Sequence, residues 1–368
     1  MASTTTRPLN TTAAPRAVSP RRRATTTDVL ARAQGYPRMR YMGSKYALLP
    51  HLERTFAGLG GTTAVDAFSG SGVVSYLLKA QGFSVTSNDF MNFASVVARA
   101  TTENSSVRLG MDLVDEICSP ARDDRDFIRQ TFSGIFFTPE DLAFLDSAWS
   151  HIDLMTGYER DIAISALILS AARKQPRGVF TFVGTRYVDG RRDLKLTMEE
   201  HFRERVSEYN AAVFDVGPRN RVVTGDVFDL DVACPDIAYL DPPYAPPTDD
   251  TDYMKRYHFL EGLSVYWRGV EIMPETRTQK IKKRYTPFAY KRTIESALNA
   301  VFEKFRDAGA IVLSYGSNAL PGVDRVVELL SEVKPNVEVQ AIEHRYSFGT
   351  HAAATRRAAS EFLFIGRD

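Results

Sequence analysis

Runs of apolar residues, broken by glycine and aspartate, organise the chain after residue 36. Positions 62–68 (TTAVDAF) make a short β-type run that ends in Ser69-Gly70-Ser71-Gly72. The next ten residues, VVSYLLKAQG, have the pattern of a helix closed by Gly82. A second β-type run, 83–88 (FSVTSN), stops at Asp89. Strand, glycine turn, helix, strand and acid make one βαβ unit. The β signal resumes at 221–224, before Gly225-Asp226, and at 236–240 (DIAYL), before Asp241-Pro242-Pro243-Tyr244. Residues 310–315 (AIVLSY) predict a buried strand. Residues 337–342 alternate apolar and polar side chains, and 361–365 form a last strand, so these two are expected to pair antiparallel at a sheet edge. Between Asp89 and Gly225 the chain is more polar, and 136–155 and 158–173 show helix-like spacing of apolar residues. The pattern as a whole predicts an α/β protein.

Composition narrows the options. Residues 1–35 are expected to be a disordered basic tail: they are rich in Ser, Thr, Ala, Pro and Arg, with a single acid, Asp28. An organelle transit peptide shares that composition, and a weak contact with nucleic acid is its functional reading. The remainder, at 44% hydrophobic and 25% charged overall, can build a large core unaided. A net charge of +1 argues against a protein that coats polyanions, though not against local basic patches. The two cysteines, Cys118 and Cys234, exclude a disulfide framework and a four-thiolate zinc site. The longest uncharged apolar stretch, 162–172, falls short of the roughly 20 residues that span a bilayer. A reducing cytoplasmic setting is expected, with no membrane and no metal.

The glycine turn sits between a strand and a helix, where glycines let a ligand approach the backbone. Asp89 follows Asp66 by 23 residues, at the tip of the next strand, where an acid can accept from two ribose hydroxyls. It could equally cap a helix. The dinucleotide fingerprint would need a third glycine at position 75, which is Ser75. A nucleoside without a pyrophosphate suits the turn better.

Asp241-Pro242-Pro243-Tyr244 follows an apolar strand, at the sheet edge where open α/β proteins bind ligands. Its prolines stiffen the turn and remove backbone donors. The carboxylate of Asp241 and the carbonyl of Pro242 can then converge on one NH2 group and turn its lone pair outward. Tyr244 offers a flat face on which a heterocycle can stack. Such a device makes an exocyclic amine on an aromatic ring nucleophilic. A plain Pro-Pro turn with an exposed tyrosine is the alternative.

These motifs together resemble the Dam-like, D12 or alpha class of DNA adenine-N6 methyltransferases. Arg40-Tyr41-Met42-Gly43-Ser44-Lys45 is similar to the family's first motif, in which Tyr41 and Lys45 would touch the methionine end of S-adenosylmethionine. Asp66, Phe68, Gly70 and Gly72 match its glycine motif, and Asp89 its ribose-binding acid. Gly225-Asp226-Val227 resembles the segment that reads the cofactor's adenine, with Asp226 as acceptor and Val227 beside it. Asp241, Pro242, Pro243 and Tyr244 match the catalytic motif, residues 257–261 the helix after it, and 313–315 a later strand. The resemblance implies a Rossmann-like S-adenosylmethionine-dependent methyltransferase fold with a reversed β-hairpin and an inserted, mainly helical target-recognition domain. The spacing agrees. Asp89 and Asp226 are 137 residues apart, where a helix and a turn need about 20–30. The expected units are a cofactor half at 36–100, the insertion at 101–220 and a catalytic half at 221–368.

The implied reaction moves a methyl group from S-adenosylmethionine to N6 of an adenine flipped out of double-stranded DNA, in a bacterial or phage restriction-modification setting. A cognate restriction endonuclease is a further candidate partner. Two basic runs are candidate DNA contacts. Arg173, Lys174, Arg177, Arg186, Arg191 and Arg192 interleave with aromatic residues around a hairpin-like turn at 188–191, and Lys282, Lys283 and Arg284 form an acid-free run. Residues 245–257, with three acids, Tyr253 and Tyr257, are expected to form a loop that closes over the base. The rivals are methylation of cytosine N4, of an RNA base or of a protein amide, and a non-catalytic DNA-binding protein on the same fold.

Overall fold

The computed structural model describes residues 25–176, 178–183, 190–243, 252–345 and 358–368. Seven strands form the main sheet: β1 (Thr63–Asp66), β2 (Ser84–Asp89), β3 (Arg221–Thr224), β4 (Ile237–Leu240), β7 (Ala310–Gly316), β8 (Asn336–Arg345) and β9 (Ala358–Arg367). A two-stranded ribbon, β5 (Ile272–Met273) with β6 (Lys280–Ile281), stands apart. The order in the sheet is β3-β2-β1-β4-β7-β9-β8. The first five of these run parallel, whereas β9 is antiparallel to both neighbours. Every strand predicted from the apolar pattern is present, and 337–342 and 361–365 do pair antiparallel, with β8 at the edge.

Alternation along each strand sends neighbouring side chains to opposite faces. Ala64, Ile237, Tyr239, Val312 and Leu363 belong to one hydrophobic cluster. Val65, Ala238, Leu240, Leu313 and Phe364 belong to the other. Both faces are therefore covered, as a parallel sheet requires. The helix Val73–Gln81 follows β1 and ends at Gly82, whose φ of 93° is the left-handed cap expected there.

The expected helices at 136–155 and 158–173 are Pro139–Ile152 and Gly157–Lys174. The first starts late because Thr138 caps it and Pro139 fills its first turn. The second is buried at every residue from Asp161 to Ala172. Their buried side chains fall in the same cluster as Ala64 and Tyr239, so the helical segment between Asp89 and Arg221 shares its core with the sheet.

The expected disordered tail needs correction at its end. Thr26–Gln34 is a helix with a capping box between Thr25 and Asp28, and Val29 and Ala33 are buried. A capping box and a single i, i+4 apolar pair are weak signals in an Arg-rich stretch, yet enough once a partner surface exists. Residues 1–24 lie outside the described residues.

A buried carboxylate ties the helix after β4 to the helix after β2. Glu261, fully buried on the helix Tyr253–Val265, accepts from the backbone N–H of Asn92 (3.0 Å), from the Asn92 side-chain amide (2.7 Å) and from the backbone N–H of Phe93 (3.1 Å). It thereby caps the helix Asn92–Ala98 that follows β2. Among the described residues no helix is long and apolar enough to cross a membrane.

Candidate active site

The carboxyl ends of the parallel strands carry a pocket lined by Tyr41, Asp66, Gly70, Asp89, Asp226 and Asp241 among others. Site residues taken from five separate sequence motifs thus share one cavity.

The glycine turn forms the floor. Gly70 has φ 49° and Gly72 φ 80°. The Ser69 N–H donates to the Asn88 carbonyl (2.8 Å), and the Gly72 N–H returns to the Ser69 carbonyl (2.7 Å). A Cβ on Gly70 would lie 2.9 Å from the Tyr41 ring, and one on Gly72 would lie 2.5 Å from the Tyr36 hydroxyl. Tyr36 itself donates to the Ser71 carbonyl (2.8 Å). The turn is therefore held from two sides.

Three carboxylates face this floor. Asp89 accepts from the N–H groups of Gly70 (2.8 Å) and Met91 (2.9 Å). Burial pushes it up to about 6 against those two bonds. Each oxygen keeps a second lone pair for a hydroxyl. Asp66 accepts from Ser75 (2.6 Å), and Ser75 also bonds Ser87 (2.8 Å). The residue that breaks the dinucleotide fingerprint is thus the clasp of Asp66. Burial pushes Asp66 up to about 7, with the Ser75 hydroxyl opposing. Its Oδ1 is buried and has no hydrogen-bond partner within the protein. A buried acceptor in that state favours a cationic donor.

Asp241 ends β4 with its side chain 19% exposed. Its Oδ1 takes the Lys45 ammonium (2.8 Å) and the Ser314 hydroxyl (3.0 Å), and Ser314 in turn bonds Tyr239 (2.9 Å). Burial pushes Asp241 up to about 6, with Lys45 opposing and Glu361 reinforcing. Pro242 is buried and Pro243 lines the pocket. Tyr244 lies outside the described residues.

Tyr41 and Lys45 both line the pocket, but they do different work. Tyr41 stacks on Tyr257 (4.9 Å, 11°) and Tyr253 (5.5 Å, 28°). The Lys45 ammonium, 2% exposed, lies 2.8 Å from Asp241 and 3.0 Å from Glu361. A buried ammonium goes where two carboxylates offer themselves. Asp226 uses one oxygen to cap the turn Val227–Asp229 through the Phe228 N–H (3.0 Å). Val227 is buried against the pocket. Phe68 meets Phe288 edge-on (5.1 Å), and Phe288 stacks on Phe228 (5.7 Å, 7°).

Sequence reasoning missed Phe288, Ser314, Glu261 and Glu361 as neighbours of the site. Ser314 had a signal, its place at the end of the apolar run before Tyr315. The other three reach the site only through long-range packing.

Two expectations change. The closing loop at 245–257 is helical from Tyr253 onward, capped by Asp252 through the Lys255 N–H (2.9 Å). Tyr257 is fully buried and accepts from the Met42 N–H (2.7 Å), so it backs Tyr41 instead of meeting a base. Residues 245–251 lie outside the described residues. The hairpin expected around 188–191 lacks its return strand, because Arg192–Lys195 is a helical turn. Arg177, Arg186 and residues 188–189 are outside the described residues.

The basic runs are less bare than they look in sequence. Arg173 lies 3.7 Å from Asp193 and Lys174 3.2 Å from Asp141. Arg192 pairs with Glu204, and Arg191 donates to the Pro176 carbonyl (2.8 Å). Lys282 lies 3.0 Å from Glu271, Lys283 lies 3.5 Å from Asp252, and Arg284 donates to the Phe90 carbonyl (2.8 Å). Several of these partners are distant in sequence, so a local charge run could not reveal them. Among the described residues no group of three His, Cys, Asp or Glu side chains is placed to hold a metal ion.

A mostly parallel sheet with one reversed strand, and a glycine-turn pocket that opens beside Asp241, make the architecture of an α/β methyltransferase. Residues 41–293 match the family model described as D12 class N6 adenine-specific DNA methyltransferase. The chain belongs to that family and is an adenine-specific DNA methyltransferase. It is 26% identical to the type II methyltransferase M2.HphI of Haemophilus parahaemolyticus, over 90% of this chain and 97% of that one. It is 24% identical to the modification methylase LlaI of Lactococcus lactis subsp. lactis and 24% identical to the type II methyltransferase M.FokI of Planomicrobium okeanokoites. Those matches cover 83% and 77% of this chain, but 51% and 45% of the two relatives. Membership decides for adenine N6 over the cytosine, RNA, protein-amide and non-catalytic alternatives. The family's methyl donor is S-adenosylmethionine.

Proposed function

We propose that the pocket binds S-adenosylmethionine and delivers its methyl group to an adenine held by Asp241 and Pro242, at specific sites in double-stranded DNA. The donor set suits the cofactor. The partnerless Asp66 Oδ1 would take its ammonium, Asp89 its ribose hydroxyls and Asp226 its adenine amine. Tyr41, Lys45, Phe68, Val227 and the glycines at 70 and 72 complete the walls. When bound, the cofactor supplies a methyl group on an already activated sulfonium. The protein's part is to orient the amine and exclude water. Lys45 and Ser314 fix Asp241 through Oδ1, and Asp241 with the Pro242 carbonyl accepts from the adenine NH2. Its lone pair then points outward, and the proton leaves after the N–C bond has formed. Asp241 is ionised at neutral pH, which this acceptor role needs. In this reading Tyr244 stacks on the flipped base.

The observation that carries the proposal is that Asp241 and the glycine turn open onto one cavity. Incubating the purified protein with methyl-labelled donor and duplex DNA tests it. Label on adenine N6 in one sequence context is expected. Label on no base, or on adenines regardless of context, overturns it.

Cofactor affinity should depend on pH. An ammonium pairs with the carboxylate form of Asp66, which is populated above about 7. Asp89, raised to about 6, adds a smaller effect of the same sign. Affinity measured by calorimetry is therefore expected to rise as pH climbs from about 6 to about 8, and Asp66→Asn should flatten that rise.

In this reading the helical segment at 101–220 is the target-recognition element, and the basic residues at 173–192 and 282–284 contact phosphates. Arg191→Ala and Arg177→Ala are each expected to weaken DNA binding several-fold and to reduce the salt slope by about one. Unchanged affinity and slope for both would remove this segment from the interface. A role in restriction-modification, with a companion endonuclease in a bacterial or phage cytoplasm, agrees with relatives named as type II methyltransferases. Mapping modified bases in DNA from expressing cells would reveal the recognised site.

A further inference from the structure

Glu361 is fully buried on β9, the reversed strand, and lies beyond residues 41–293, the segment that matches the family model. Its Oε1 lies 3.0 Å from the Lys45 ammonium. The same ammonium is 2.8 Å from Asp241 Oδ1 and donates to the Gly43 carbonyl (2.9 Å). Lys45 lines the pocket and Glu361 stands behind it. A buried carboxylate costs several kcal/mol unless it is paired, and one cation here serves two of them. Its strand neighbours Phe362, Leu363 and Phe364 are apolar and pack into the two cores.

We propose that Glu361 is a positioning residue for methyl transfer: it draws the Lys45 ammonium back and divides its charge, so that Asp241 stays anchored yet remains a strong acceptor for the target amine. With Lys45 on Asp241 alone, the carboxylate would be closely neutralised and would polarise the amine less. With no Lys45 contact it would lose its anchor. The two carboxylates therefore set a balance that neither sets alone. The inference rests on the role given to Asp241 in the proposed function. The ionisable groups near Asp241 are Lys45 from the first motif, Glu361 from β9, Asp66 from β1, Tyr239 from β4 and Tyr41. Of these, Asp66 titrates close to Asp241, with Asp89 on the pocket floor close behind; both act on donor binding, so saturating donor takes them out of the measurement.

The test is single-turnover methylation by Glu361→Gln at saturating donor and DNA, followed across pH. The maximal rate is expected to fall on the order of tenfold, with donor and DNA affinities unchanged. The acid limb of the profile is expected to move to lower pH, because an undivided Lys45 charge favours the Asp241 carboxylate. A profile that superimposes on that of the unmodified protein, with the rate falling only as thermal stability falls, would overturn the proposal. Should Glu361→Gln not fold, Glu361→Asp decides. Its carboxylate keeps the charge but withdraws from Lys45, so a reduced maximal rate with normal donor affinity supports the assignment and an unreduced rate overturns it. Wild-type protein that methylates no adenine would instead sink the proposed function, so the two failures are distinguishable.

Discussion

Asp241→Ala should lower methyl transfer on the order of a thousandfold while donor affinity stays within about threefold, the scale on which removing one polar stabiliser of a transition state is felt. The carboxylate is one of two acceptors for the amine, and the other, a backbone carbonyl, cannot replace it. The change is also unusually clean. Asp241 anchors no helix, and its partners are not left stranded. Ser314 keeps Tyr239 at 2.9 Å, and Lys45 keeps Glu361 at 3.0 Å. The buried ammonium therefore retains a counter-charge, and the fold should survive. Radiolabel transfer and calorimetric donor binding, measured on one preparation, give the result. Retained transfer with lost donor binding would reverse the roles assigned to Asp241 and to the pocket floor.

The second large effect is expected at Gly70. A side chain there must adopt φ 49°, which costs about 1 kcal/mol or more for a residue with a Cβ. The new methyl would also meet the Tyr41 ring at 2.9 Å. Tyr41 has little room to yield, because Tyr257 stacks on it at 4.9 Å and Tyr257 is itself fully buried. The turn must move instead. Its Gly70 N–H holds Asp89 at 2.8 Å, so the acid moves with it. Gly70→Ala is therefore expected to weaken donor binding by roughly tenfold to a hundredfold, about 1.4–2.8 kcal/mol. Native donor affinity in this variant would mean that Tyr41 does not rest against the turn.

The parts of this protein that speak plainly in sequence are those set by local rules. Alternation and apolar runs reveal every strand of the main sheet, since a strand covered on both faces leaves few alternatives. The pairing of β8 with β9 follows from their patterns in the same way. The turn at 70–72 and the Asp241-Pro242-Pro243 segment declare themselves because glycine and proline have few substitutes for what they do to a backbone. What stays hidden depends on partners far along the chain. Tyr257 looks like a loop residue waiting for a base until the Met42 N–H and the Tyr41 ring claim it. Nothing near Lys45 in sequence announces the two acids, one of them on the last strand, that lie within 3.0 Å of it. The basic stretch at 280–284 looks bare until Glu271, Asp252 and the Phe90 carbonyl meet it. Val29 and Ala33 look like part of a featureless leader until they are found buried.

The seat of Glu261 on Asn92 and Phe93 ties together positions up to 169 residues apart. The chain between them carries β3, β4, Asp226 and Asp241, so one buried carboxylate fastens the helix after the Asp241 turn to the helix after the Asp89 strand. A side chain at position 261 that cannot accept would strand the first N–H groups of that helix and loosen the seat the two helices share.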